Sequence, residues 1–175
     1  MAFIWLKNIL RENLKKQSVP IVSIDSGNKD DLRFDENDKI VEVTVRSIWI
    51  QHGALSGLGS AFTYPLIGQA VKHCWSEVQT NNGLYCVQFY GGANTILIHK
   101  KRSIEDVIKV AKMVGGMGVN EEKQIRCIYP KKLVKEGKTM VDLKTFVESY
   151  AQVGKYDLML NNCQDLSSAL YHWCN

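Results

Sequence analysis

The sequence predicts an α+β fold, because strand patterns cluster in the middle of the chain and helix patterns lie on its flanks. Segments typical of strands lie at 39–50, 70–79, 84–90, 94–99, 125–128 and 156–160. Segments typical of helices lie at 2–16, 103–114, 141–153 and from residue 163 onward. No internal repeat interrupts this order, so the central strands are expected to form a sheet that the helices cover.

The N-terminal part is expected to differ from the rest. In residues 2–16 apolar side chains recur at helical spacing, with lysines on the other side. Packing against a core explains this stripe, and a helix on a membrane surface or a partner is the alternative. Residues 24–39 are polar and predict a linker. We therefore divide the chain into an N-terminal helix and linker, 1–38, and a domain, 39–175.

Composition narrows the class of protein. The 175 residues carry a net charge of +4, with 45% hydrophobic and 23% charged residues. This is typical of a globular protein and too weakly basic to predict nucleic-acid binding. The five cysteines have neither the number nor the spacing of a disulfide framework or a zinc site. No stretch approaches the about 20 apolar residues of a membrane span. We expect a reduced, cytoplasmic protein without a metal or cofactor.

Each later strand or helix has a local signal. Segment 39–50 is rich in β-branched residues, and Thr80–Gly83 is a hairpin signal because Asn and Gly tolerate positive φ. The glycines of 53–60 lack the Lys-Ser or Lys-Thr of a phosphate loop and predict a flexible loop. Ser103 is a predicted N-cap, and Gly154 a predicted C-cap. The strand at 125–128 is expected to end at Pro130.

One cysteine occupies an unusual position. Asn162 is predicted to cap the last helix, which places Cys163 in the first turn, where the helix dipole favours a thiolate. The polar neighbours of Cys163 predict exposure. Cys127 and Cys174 are predicted to be structural, and Cys74 and Cys86 to lie on the strand face away from the site.

A thiolate nucleophile needs a base, and four histidines are candidates: His52, His73, His99 and His172. His172 points away along the helix, His99 is expected at a solvated edge, and His52 lies in the glycine-rich stretch. If Asn81 and Asn82 form the turn, Gln88 shares a face with His73, one diagonal step away. Gln88 would then orient the imidazole, as the third member of a triad does. An exposed strand residue is the alternative.

These residues carry a resemblance. A strand histidine, a polar residue on the next strand and a late Asn-Cys opening a helix resemble the circularly permuted papain-like fold. That group, the NlpC-like superfamily, includes lecithin retinol acyltransferase-like proteins and PPPDE thiol peptidases. The segment from Tyr156 to Leu166 is similar to their signature. The chain departs from it with Gln88, where the acyltransferases commonly have histidine, and with Gln164-Asp165 after the cysteine.

The resemblance implies an antiparallel sheet packed against helices, with Cys163 as nucleophile, His73 as base and Gln88 as orienting residue. It implies a cysteine hydrolase or acyltransferase that acts on a peptide, an isopeptide or a lipid ester through a thioester. A non-catalytic module that binds a peptide or lipid in the same groove is the alternative. A third interpretation is a membrane-associated adaptor that uses residues 2–16.

Overall fold

The computed structural model describes residues 19–25, 33–49, 72–114, 125–134, 137–155 and 162–174. The helix predicted at 2–16, the glycine-rich loop at 53–60 and the strand predicted at 156–160 lie outside these residues, as does His52. In the described part the fold is α+β, as the sequence predicts, and consists of a six-stranded sheet and three α-helices.

The strands and helices follow one another in an order close to the predicted one. The strands are β1 (Ile21–Asp25), β2 (Ile40–Trp49), β3 (Lys72–Thr80), β4 (Gly83–Tyr90), β5 (Thr95–Lys101) and β6 (Arg126–Leu133). The helices are α1 (Ile104–Val114), α2 (Met140–Ala151) and α3 (Cys163–Trp173). Across the sheet the strand order is β1-β5-β4-β3-β2-β6.

The sheet is mixed rather than antiparallel throughout. Strands β2 to β5 pair antiparallel, and β6 pairs antiparallel with β2 at one edge. At the other edge β1 pairs parallel with β5, from Ile21↔Thr95 to Asp25↔His99. Strand β1 lies inside the segment 1–38 that the sequence predicts to be helix and linker. Its five residues are too few to show a periodic pattern beside a polar stretch, so only the pairing with β5 identifies it.

The predicted end of β6 at Pro130 is wrong, since the strand continues to Leu133. Proline cannot donate a ladder hydrogen bond, so it interrupts a central strand but is tolerated at an edge or a bulge. Strand β6 is an edge strand, and its register against β2 shifts between Val43 and Val45 and again between Val45 and Arg46. Both conditions are met here, which explains why the strand passes through Pro130.

Two hydrophobic clusters cover the two faces of the sheet. The larger one joins side chains of β2 to β5 with α2 and α3, and includes Phe89, Leu143 and Leu166. The smaller one packs Val107 and Ala111 of α1 against Trp75 on β3. The helix that begins at Cys163 therefore lies on the larger cluster and packs chiefly against β3 and β4.

A buried carboxylate ties the hairpin end of the sheet together. Asp38 is fully buried and accepts hydrogen bonds from Tyr85 Oη at 2.6 Å, Lys100 Nζ at 2.8 Å and Asn82 Nδ2 at 2.9 Å. Burial raises the pKa of Asp38, but the hydrogen bonds from Lys100, Tyr85 and Asn82 outweigh it and hold the pKa below its usual value. The entry to β2, the β3–β4 turn and β5 thus meet at one ionised group.

Candidate active site

The N-terminus of α3 holds Cys163 as the first helical residue. Asn162 caps the helix as predicted: its Oδ1 accepts from the amides of Gln164 at 2.8 Å and Asp165 at 3.2 Å. In return, Asp165 Oδ2 accepts from the amide of Asn162 at 3.2 Å, which completes a capping box. The cap fixes the position of the thiol, which lies at the positive end of the helix dipole.

The predicted exposure of Cys163 is wrong, because only 3% of its surface is accessible. Gln164 is exposed to solvent, while the side chain of Cys163 turns inward to the sheet. The Cys163 side chain faces the sheet because α3 packs against β3 and β4. When a helix packs on a sheet, polar neighbours in the sequence therefore do not predict whether its first residue is exposed.

The predicted partners His73 and Gln88 lie side by side. The β3–β4 register is the predicted one from Thr80↔Gly83 to Ser76↔Val87. His73 Nε2 lies 3.0 Å from Gln88 Oε1, and both side chains are buried. An acceptor oxygen at this distance selects the tautomer that carries its proton on Nε2. The other ring nitrogen, Nδ1, is then available to exchange a proton with a nucleophile.

His73 is also in hydrogen-bond contact with Cys163. The structure thus brings together all three residues that the sequence singles out, from two strands and a helix. The ring of Trp75 is roughly parallel to that of His73, with centroids 6.2 Å apart and an interplanar angle of 26°. Trp75 Nε1 in turn donates to Glu77 Oε1 at 3.2 Å. The imidazole is therefore bounded on one side by an aromatic ring that is itself fixed in place.

Sequence reasoning missed a second contact of the sulfur. The amide of Cys74 donates to Cys163 Sγ at 3.4 Å, and the Cys74 side chain also forms a hydrogen bond with it. Strand alternation places the side chains of His73 and Cys74 on opposite faces. The sulfur reaches both because it lies against the β3 backbone itself. The pairing of β3 with β4 begins at Ser76, four residues after the start of β3.

These contacts set the charge state of the pair. The hydrogen bond from the Cys74 side chain lowers the pKa of Cys163 most, burial opposes it, and the hydrogen bond and positive charge of His73 lower it further. The net pKa of Cys163 is well below its usual value. Burial lowers the pKa of His73, but the contacts with Cys163 and Gln88 outweigh it and raise the pKa. Both shifts favour the thiolate–imidazolium form of the pair over the neutral form.

The other cysteines and histidines lie elsewhere, and three expectations need correction. Cys86 pairs with Glu77 and so shares a strand face with His73, but it packs in the smaller cluster under α1. Cys127 is exposed on the edge strand β6, where Sγ donates to the Tyr129 carbonyl. His99 is buried in β5 rather than solvated, because β1 covers what would otherwise be an edge. His172 is exposed on α3.

A cavity of about 500 Å³ is lined by residues 33–37 and Lys100. Cys163, His73 and Gln88 do not line it, so it is a separate feature from the thiol site. Within the described residues, no cluster of three or more His, Cys, Asp or Glu side chains is arranged to bind a metal ion. In the same part of the chain, every helix is too short or too polar to cross a membrane.

Comparison with profiles of known protein families, with curated proteins and with solved structures finds no match to this chain.

Proposed function

We propose that the protein is a cysteine hydrolase or acyltransferase that works through a thioester on Cys163. The observation that carries the proposal is the buried contact between Cys163, His73 and Gln88. A thiolate is the nucleophilic form of cysteine, and an adjacent imidazolium is ready to protonate a leaving group. The resemblance to the circularly permuted papain-like fold supports the same chemistry, and we include this fold in the proposal.

In the proposed reaction the thiolate of Cys163 attacks the carbonyl carbon of an amide or ester. The oxyanion accepts a hydrogen bond from the backbone N–H of Cys163, at the positive end of α3. The intermediate collapses when His73 gives its proton to the leaving amine or alcohol, which leaves a thioester. Water, or an acceptor amine, then attacks the thioester, and His73 takes a proton from this attacking group. The acyl group departs and the ion pair is restored.

Gln88 takes part without touching the substrate. Its Oε1 holds the Nε2 proton of His73, so that Nδ1 faces the sulfur throughout the cycle. A peptide, an isopeptide or a lipid ester would suit this chemistry, and an amide is the version we propose first. A cytoplasmic location belongs to the same proposal, because the number and spacing of the five cysteines do not suggest a disulfide framework.

The non-catalytic binding module predicts a histidine held beyond hydrogen-bond reach of the thiol. The contact between His73 and Cys163 favours the catalytic proposal over this alternative. The membrane-associated adaptor depends on residues 2–16, outside the described part of the chain. It would be tested by flotation of the full chain and of a chain lacking residues 1–18 with liposomes.

The proposal is tested by trapping the acyl-enzyme. The full-length protein is incubated with p-nitrophenyl esters of short and long acyl chains and with peptide and isopeptide amides. We expect a burst of leaving group and an acyl adduct that mass spectrometry assigns to Cys163. Cys163→Ala should lose both burst and turnover. Cys86→Ala is the matched control, because it removes a buried cysteine from the other cluster. Turnover that persists in Cys163→Ala would refute the proposal.

A further inference from the structure

Two cysteines meet at the candidate site, and the proposed reaction needs only one of them. Cys163 and Cys74 belong to the same buried cluster, with 3% and 0% of their surfaces exposed. Cys163 Sγ lies 3.4 Å from the amide nitrogen of Cys74. The sulfur of Cys74 is separated from that nitrogen only by Cα and Cβ of the same residue. The two sulfurs are therefore neighbours, and their side chains share a hydrogen bond.

We propose that Cys74 and Cys163 form a reversible disulfide when the protein meets a peroxide. This makes the pair an oxidative modification site inside the candidate active site. It rests on the proposed function only through the thiolate of Cys163, and it does not require turnover of any substrate. Formation of the disulfide removes the nucleophile, so the same event would switch off the proposed hydrolase or acyltransferase.

The chemistry balances with hydrogen peroxide as the oxidant. The thiolate of Cys163 attacks one peroxide oxygen, the O–O bond breaks, and the hydroxide released takes a proton to become water. Cys163 is then a sulfenic acid, whose sulfur is electrophilic. The Cys74 sulfur attacks it, the S–S bond forms and the S–O bond breaks. The thiol proton of Cys74 leaves with that oxygen as a second water. Two thiols are oxidised, and one peroxide is reduced to two waters.

Among the described cysteines, Cys163 has a lowered pKa and a thiol beside it. Burial raises the pKa of Cys86 far above its usual value and raises that of Cys174 to about 11, so both remain protonated thiols. Cys127 is exposed on β6, where its thiol contacts a backbone carbonyl. Oxidation of cysteine depends on both thiolate character and exposure. Cys127 has the exposure and Cys163 the lowered pKa, and we expect the first sulfenic acid on Cys163. The partner thiol at Cys74 then intercepts it before further oxidation.

The experiment follows the linkage directly. Reduced full-length protein is treated with about one equivalent of hydrogen peroxide, blocked with N-ethylmaleimide and digested with trypsin under non-reducing conditions. We expect peptide 73–100 joined to peptide 156–175 with the loss of two hydrogen atoms. Each peptide holds two cysteines, so tandem mass spectrometry must place the bond between Cys74 and Cys163. Dithiothreitol should restore both thiols.

Variants make the result decisive. Cys86→Ala should keep the linkage, since it removes the other cysteine of peptide 73–100. When the wild type and the variants are treated with three or more equivalents of hydrogen peroxide, Cys74→Ala and Cys74→Ser should lose the linkage and accumulate sulfinic and sulfonic acid on Cys163, which dithiothreitol does not reverse. If both Cys74 variants fail to fold, the wild type and Cys86→Ala still decide the question. A wild type that gains two or three oxygens on Cys163, or that links another cysteine, overturns the inference. Linkage in a protein that turns over no substrate would support it while refuting the proposed function.

Discussion

The hydrogen bond between Gln88 and His73 can be removed by the change Gln88→Leu. In the wild type, Gln88 Oε1 lies 3.0 Å from Nε2 of an imidazole that is 4% exposed. A hydrogen bond to a charged group contributes about 1.5–3 kcal/mol. One pKa unit corresponds to about 1.4 kcal/mol, so the pKa of His73 should fall by about one to two units. The pKa of Cys163 should rise in response, because it loses part of the imidazolium charge.

Global stability should change far less than the ion pair does. Gln88 Nε2 is buried and makes no hydrogen bond to any other described residue. Leucine removes this unsatisfied donor, which relieves about 1–3 kcal/mol, and leaves His73 Nε2 unsatisfied, which costs a similar amount. We therefore expect the free energy of unfolding in urea at pH 7 to change by about 1 kcal/mol or less. This separates an effect on the imidazole from a loss of the fold.

The assay is the rate of iodoacetamide alkylation at Cys163 between pH 4 and pH 10, followed by mass spectrometry. It needs no substrate. Gln88→Glu is the matched variant, since its carboxylate keeps the acceptor and adds a negative charge. We expect the two variants to shift the pH profile in opposite directions, with the pKa of His73 lowered by leucine and raised by glutamate. Profiles that stay at the wild-type position, or that move together, would refute the role assigned to Gln88.

Four further predictions follow from the described contacts. His73→Ala should raise the pKa of Cys163 and slow its alkylation at pH 6 by about tenfold or more, which the same mass-spectrometric assay measures. Asn162→Ala removes the helix cap and should lower the free energy of unfolding by about 1 kcal/mol in urea titrations. An unchanged free energy of unfolding would contradict the stabilising role of this cap. Asp38→Ala should cost about 1–3 kcal/mol because the partly buried Lys100 and the buried Tyr85 hydroxyl lose their hydrogen-bond acceptor, and Asp38→Asn combined with Lys100→Met should recover most of this loss. The fourth prediction concerns the pH dependence of stability. The raised pKa of His73 adds to the free energy of unfolding; this contribution is complete below the unfolded pKa of 6.5 and is lost as pH rises through the folded pKa. The lowered pKa of Cys163 also adds to the free energy of unfolding; this contribution is complete above the unfolded pKa of 9.0 and is lost as pH falls through the folded pKa. Relative to the double variant His73→Ala with Cys163→Ser, which lacks both groups, the unfolding free energy of the wild type should therefore rise as pH passes the folded pKa of Cys163, change little between pH 6.5 and 9.0, and fall above 9.0. A constant difference would contradict the ion pair.

The sequence predicts the central strands well because their signals are local. β-branched alternation marks β2, and the Asn-Asn-Gly turn sets the register of β3 and β4, which in turn brings Gln88 to His73. The cap at Asn162 is likewise a local signal, and the structure confirms it. In each case a short stretch of chain contains all the information needed.

Non-local packing explains what the sequence does not predict. The parallel pairing of β1 depends on a strand more than seventy residues away. The burial of Cys163 depends on which way α3 lies on the sheet, and the burial of His99 depends on β1. The sulfur of Cys163 contacts both His73 and Cys74, whose side chains lie on opposite faces of β3, because it lies against the strand backbone. None of these features leaves a periodic pattern in the residues concerned.

The separation of His73 and Cys163 along the chain has a consequence for biosynthesis. A ribosome makes β3 first, and α3 follows only after β4, β5, α1, β6 and α2. Until α3 docks, Cys163 has neither the imidazolium nor the Cys74 amide beside it, so its pKa stays near the ordinary 9.0 and the thiol remains protonated. The nascent chain therefore carries an unreactive cysteine. Nucleophilic character appears only when the sheet is complete, which makes the reactivity of Cys163 a direct report of correct folding.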